Sequence, residues 1–173
     1  MDKRFEFFKE QYYFELNRKN ELTNSLAIPI GFLTVLFTGY SYLFFNLKFL
    51  NMCYLAIIFT ILIFISIVFA IRAIYHLYFT LKGLNYGYVP EPINLFKYEQ
   101  DYIKYADNHG ITADKIDEIF FENLKKSLVT TTNKNRENNN FRANRILKAN
   151  INTIYAIFFL FLSAIPFIIN INI

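Results

Sequence analysis

Three uninterrupted apolar runs, residues 26–45, 52–71 and 154–173, constrain this chain of 173 residues more than any other feature. Each run is 20 residues long and contains no Asp, Glu, Lys or Arg. At about 1.5 Å of rise per residue, a helix of that length is roughly as long as a bilayer core is thick, about 30 Å. A buried helix of a soluble protein is the alternative reading. It is disfavoured when three such runs share so short a chain, because no layer of comparable size remains to cover them. The composition agrees, since 54% hydrophobic and 20% aromatic residues exceed what a soluble domain carries. The expected fold is an all-α membrane protein with three transmembrane helices.

The first run is not a cleavable signal peptide, because 25 residues with ten charged side chains precede it and no small-residue cleavage site follows. The single cysteine, Cys53, excludes an intrachain disulfide and a CxxC metal site. His76 and His109 lie far apart and make no recognisable ligand set, so no metal and no cofactor is expected. Residues 1–24 hold five Lys/Arg, the turn 46–51 holds only Lys48, and residues 72–150 hold twelve. The positive-inside rule then places the N-terminus and the long segment in the cytoplasm, with the turn and the C-terminus outside. The chain divides into a cytoplasmic amphipathic helix (1–24), a two-helix transmembrane hairpin (25–82), a cytoplasmic helical region (83–150) and a third transmembrane helix (151–173).

In the first segment Phe5, Phe8, Tyr12 and Leu16 recur at helical spacing, and Glu15 and Lys19 form an i,i+4 pair. The segment is electrically neutral, which favours packing against protein over binding an anionic leaflet. Thr23, Asn24 and Ser25 are cap-type residues before the first span. If Ser25 caps it, Pro29 within a turn forfeits one marginal bond, and if the helix starts earlier, Pro29 kinks it. Along that span Ala27, Gly31, Thr34, Thr38 and Ser41 follow spacings of 4, 3, 4 and 3, a seam of small or weakly polar side chains. Such a seam either packs helices closely or, repeated by oligomer symmetry, lines a narrow pore. Both readings imply close helix neighbours, and the pore reading implies a homo-oligomer.

The second span is followed by Arg72 and His76 on one face at i,i+4, which serve as an interface anchor or as a charge ring at a cytoplasmic mouth. Gly83, Gly87, Pro90 and Pro92 then interrupt the helix. Leu95, Tyr98, Tyr102, Ile103 and Ala106 predict an amphipathic helix stopped at Gly110, and Ile116, Phe120, Leu124 and Leu128 predict another after Thr112. Each of these helices needs an apolar partner. Residues 125–148 contain seven Lys/Arg against Glu137, a net +6, interleaved with six asparagines. Lys134, Arg136, Arg142, Arg145 and Lys148 could neutralise phosphates while Asn amides meet base edges, as a nucleotide or single-stranded oligonucleotide requires. A solvated juxtamembrane segment against anionic lipid is the other reading. Pro166 is placed to bend the third span.

Catalytic signatures are missing. There is no P-loop, GxGxxG, HExxH or nucleophile elbow, so an enzyme is not expected. The runs carry no acidic residue and the halves show no inverted repeat, which argues against a proton-coupled transporter.

The layout of a short cytoplasmic helix, two spans with a tight outer turn and a cytoplasmic helical region resembles the small membrane effectors of bacterial antiphage systems. The residues that carry the resemblance are QYYFELNRKNELTNSL before the first span and NNNFRANRILKAN running towards LSAIPF. The two-span SLATT-like effectors share this layout. More loosely, the chain resembles the membrane subunit of the Hailong system, in which a nucleotidyltransferase makes an oligodeoxyadenylate that controls an ion channel. The resemblance implies a multi-pass protein of the bacterial inner membrane, an oligomeric pore effector gated by a nucleotide signal on its cytoplasmic side, and a signal-producing nucleotidyltransferase encoded nearby. The reading from a different class is a non-conducting membrane adaptor that recruits a soluble partner through its cytoplasmic helices.

Overall fold

A computed structural model describes residues 3–46, 53–110 and 112–171. Lys48 and its turn, and the terminal Asn172 and Ile173, lie outside the described residues. The described chain is helical: α1 (Lys3–Ser25), α2 (Ala27–Phe45), α3 (Cys53–Leu81), α4 (Pro92–His109) and α5 (Ala113–Ile171). Three of these stretches are long and apolar enough to cross a membrane.

α1 and α2 are separated by a turn at Leu26, which itself keeps near-helical angles. The expected cap does not form. Ser25 donates instead to the carbonyl of Leu22, three residues back in α1, at 2.9 Å. Pro29 stands in the first turn of α2, where a missing N–H forfeits little. α4 carries Pro92 at its first position and stops at Gly110, whose φ of 64° is left-handed, a conformation glycine adopts without a Cβ penalty.

α5 is a single helix of 59 residues. It runs through position 150, where the sequence pattern suggested a boundary between cytoplasmic region and third span. The physical reason is that no Gly or Pro occurs from 113 to 165, and the asparagines in between gain partners that offset their modest helix propensity. Pro166 lies inside the helix near its end.

Two compact units form. The first contains residues 1–20 and 84–140, and the second residues 21–83 and 141–173. In the first, α4 and the early part of α5 face each other across a groove lined by Leu95, Tyr98, Phe120 and Leu124. In the second, Leu33, Leu36 and Leu43 of α2, Phe59, Ile63, Ala70 and Ala73 of α3, and Ala149, Ala156 and Phe167 of α5 are buried together. Small side chains at Ser66, Ala70, Ala73, Ala149 and Ala156 let helix backbones approach, the usual basis of helix association where lipid removes the hydrophobic drive.

Candidate functional site

In the first unit, the apolar stripe of α1 includes an acid. Glu15 follows Tyr12 by three residues, shares its face, and is 1% exposed. A carboxylate so buried requires charge and hydrogen-bond partners. Its oxygens accept from Arg136 Nε at 3.3 Å, Arg18 Nη1 at 3.5 Å and Asn139 Nδ2 at 2.9 Å. The same Asn139 nitrogen donates to the Glu15 backbone carbonyl at 2.7 Å. Lys19, the residue the sequence paired with Glu15, reaches the Tyr88 hydroxyl at 2.9 Å and lies over the rings of Tyr86 and Tyr88.

The segment between α3 and α4 has no regular structure over residues 83–91, so its backbone groups need outside partners. Asparagines of α5 supply them. Asn135 bonds both the N–H and the carbonyl of Gly87, Asn138 donates to the Asn85 carbonyl at 3.0 Å, and Asn139 accepts from the Tyr86 hydroxyl at 2.7 Å. The Tyr12 hydroxyl accepts from the Val89 N–H at 3.2 Å. Asn135 and Asn139 are fully buried, so these amides face protein groups and not a base edge.

The five bases singled out for a nucleotide fall in different units. Lys134 and Arg136 are in the first, where Lys134 is exposed and Arg136 is engaged by Glu15 and, at 3.5 Å, by Gln11. Arg142, Arg145 and Lys148 are in the second. Arg142 is buried and donates to the Thr23 hydroxyl at 3.0 Å. Lys148 is exposed. The Arg145 guanidinium stands over the rings of Tyr75, Phe79 and Phe141, with carbon-to-centroid distances of 5.9, 5.2 and 5.0 Å, and meets His76 Nδ1 at 3.2 Å. His76 thus belongs to the same cluster as Arg145, while Arg72 is exposed one turn earlier in α3.

The seam of the first span occupies the face of α2 opposite its buried one. Leu26, Pro29, Leu33, Leu36, Tyr40 and Leu43 are buried, whereas Ala27, Gly31, Thr34, Thr38 and Ser41 are all exposed. Their hydroxyls donate to carbonyls of their own helix, Thr34 to Ile30, Thr38 to Thr34 and Ser41 to Phe37, at 2.9–3.1 Å. Packing within one chain therefore uses the other face. It is Tyr40 and Ser66 that join the helices: Ser66 donates to the Ala156 carbonyl at 2.6 Å, and the Tyr40 hydroxyl is 2.6 Å from the Ser66 oxygen.

Sequence reasoning missed Glu15 and Asn135 as structural centres. The available signal was an acid inside an apolar stripe, and two asparagines four apart on one helix.

Together, the all-helical fold and three apolar helices of spanning length define a membrane protein. No protein-family model matches the chain, and neither a curated protein nor a solved structure is significantly similar to it.

Proposed function

We propose that this chain is the subunit of a homo-oligomeric ion channel of the bacterial inner membrane, N-terminus inside, acting as an antiphage effector gated by a nucleotide or oligonucleotide signal. The observation that carries the reading is the unused face of α2. Five small or weakly polar residues lie on one exposed stripe of an apolar helix, and the hydroxyls among them need no neighbour to satisfy their protons. Facing lipid, such a stripe gains nothing over leucine. Facing a symmetry axis, it forms a narrow wettable wall. The net +6 of residues 125–148 supports an anionic signal on the cytoplasmic side, and such a ligand gates only by binding one state better than another.

Ion flux from proteoliposomes, with and without oligonucleotides, is the deciding assay. Purified protein that passes no ions under either condition would remove the channel. The adaptor reading is supported by a different observation, a groove of about 230 Å³ in the first unit between Leu95, Tyr98 and Tyr102 of α4 and Phe120 and Leu124 of α5. A monomer in mild detergent that co-purifies stoichiometrically with a soluble protein favours the adaptor, and a stable homo-oligomer favours the channel.

A further inference from the structure

The second unit is electrically one-sided. Its described residues include Arg72, Lys82, Arg142, Arg145 and Lys148 against one acid, Glu21. Four polar groups gather where the apolar run of α3 ends. Arg145 meets His76 directly, Arg72 lies one turn before His76 on α3, and Lys148 lies one turn after Arg145 on α5. Among the described residues, no carboxylate forms an ion pair with Arg72, Arg145 or Lys148. Cations crowded together without an anion repel one another, and at the edge of a low-dielectric layer that repulsion is weakly screened. An arrangement of this kind is completed by a bound anion.

The geometry also prepares the donors. Three aromatic faces hold the Arg145 guanidinium, so its orientation is set before a ligand arrives. Arg145 can only donate, so His76 accepts through Nδ1, and its proton then sits on Nε2 as a second donor. Exposed Tyr75, Tyr78 and Tyr155 surround this level, the residue type that favours the headgroup layer of a bilayer. Arg145, His76, Arg72 and Lys148 thus present donors of fixed direction beside two mobile ammonium or guanidinium charges.

We propose that Arg72, His76, Arg145 and Lys148 form a binding site for a phosphate diester. The site rests on the membrane placement alone and needs neither a pore nor a signal. A diester of this kind is supplied by the headgroup of an anionic phospholipid or by the backbone of an oligonucleotide, and the chemistry offered to both is the same.

The test uses the full chain in mild non-ionic detergent, titrated with phosphatidylglycerol, with phosphatidylcholine as the zwitterionic control, and separately with a soluble dinucleotide. Native mass spectrometry reads the bound fraction. Arg72→Gln with Lys148→Gln alters two exposed side chains, so folding is retained, and Arg145→Gln tests the held guanidinium. At about 1 kcal/mol per surface cation, the double variant, which loses two of the three cations, should bind phosphatidylglycerol about thirtyfold more weakly than the wild type, with phosphatidylcholine binding unchanged. Dinucleotide binding that the same variants abolish also establishes the site, with a soluble ligand as its source. Equal retention of both lipids, or binding of every probe unchanged in the variants, overturns the proposal. A protein that binds the diester through these residues yet passes no ions in proteoliposomes loses the channel reading and keeps the site.

Discussion

Asn135 holds Gly87 by both sides of its amide: Oδ1 accepts from the Gly87 N–H at 2.7 Å and Nδ2 donates to the Gly87 carbonyl at 2.9 Å. A side chain here imitates a strand neighbour for a segment that has none. Asn135→Ala leaves a peptide donor and acceptor unpaired, so thermal unfolding in detergent should show a loss of about 2–3 kcal/mol. Asn135→Asp should lose as much, because the carboxylate cannot donate to the carbonyl. Gly87→Ala should also destabilise, by about 1–3 kcal/mol. A Cβ there would lie 3.0 Å from Thr131 Cβ and Cγ2 and 3.1 Å from its Cα, and backbone cannot move aside as a side-chain tip does. Wild-type melting of Asn135→Ala and Asn135→Asp would show that this clasp adds no stability.

Glu15 is the carboxylate on which Arg18, Arg136 and Asn139 converge. Removing one partner of a buried pair is costlier than removing an exposed one. Both arginines keep solvent access, with side chains 29% and 53% exposed, so Glu15→Ala should cost about 2–3 kcal/mol, less than a fully buried pair. Arg136→Ala should cost under about 1 kcal/mol. Chemical denaturation followed by circular dichroism separates the two, and the reverse ranking would contradict the burial argument.

Ser66 ties α3 to two helices at once, through the Tyr40 hydroxyl and the Ala156 carbonyl. Hydrogen bonds between membrane helices are worth about 0.6 kcal/mol on average and reach about 1.7. Ser66→Ala should therefore cost about 1–2 kcal/mol, and Tyr40→Phe about half that. Because Ser66 is shared, the double variant should lose less than the sum of the singles. Strict additivity in unfolding from detergent micelles would mean that the two hydroxyls do not interact.

Gly31 separates folding from conduction. Nothing lies within 4 Å of a Cβ built there, so Gly31→Leu should melt like the wild type. If the seam faces a pore axis, the same substitution, or Thr34→Leu with Thr38→Leu, should lower liposome flux by about tenfold or more through a hydrophobic constriction. Unchanged flux with unchanged melting would move the axis to another helix.

Gly39 gives the opposite contrast. A Cβ there would come within 2.9 Å of Leu160 Cδ2. A leucine tip can rotate, so Gly39→Ala should cost no more than about 1 kcal/mol, whereas a bulkier Gly39→Leu should cost about 1–3 kcal/mol. Leu160→Ala should relieve the bulkier variant in the same unfolding assay, and no relief would place the strain elsewhere.

Much of the local structure was legible from residue order. The apolar runs marked the helices of spanning length, and Gly110 marked the end of α4, because both depend on neighbours within a few residues. The cap was misread at Ser25, since a hydroxyl can turn back to a carbonyl three residues earlier as easily as forward to an amide. The Asn-rich stretch was read as solvated or ligand-facing for a related reason. An amide is equally suited to a base edge, to water or to an unpaired backbone, and composition does not say which is near. The bonds that decide it join residues 48 to 124 positions apart.

The sequence by itself determined that this chain is helical and apolar enough, in three places, to cross a bilayer. Every backbone group in hydrocarbon must bond within its own segment, so length and hydropathy suffice. Tertiary structure decided the polar assignments. It turned Asn135 and Asn139 inward, placed Glu15 among cations, left the seam of α2 outside the chain's own core and set His76 against Arg145. These outcomes follow from which helices meet, and a pairing between distant segments leaves no periodic trace in either one.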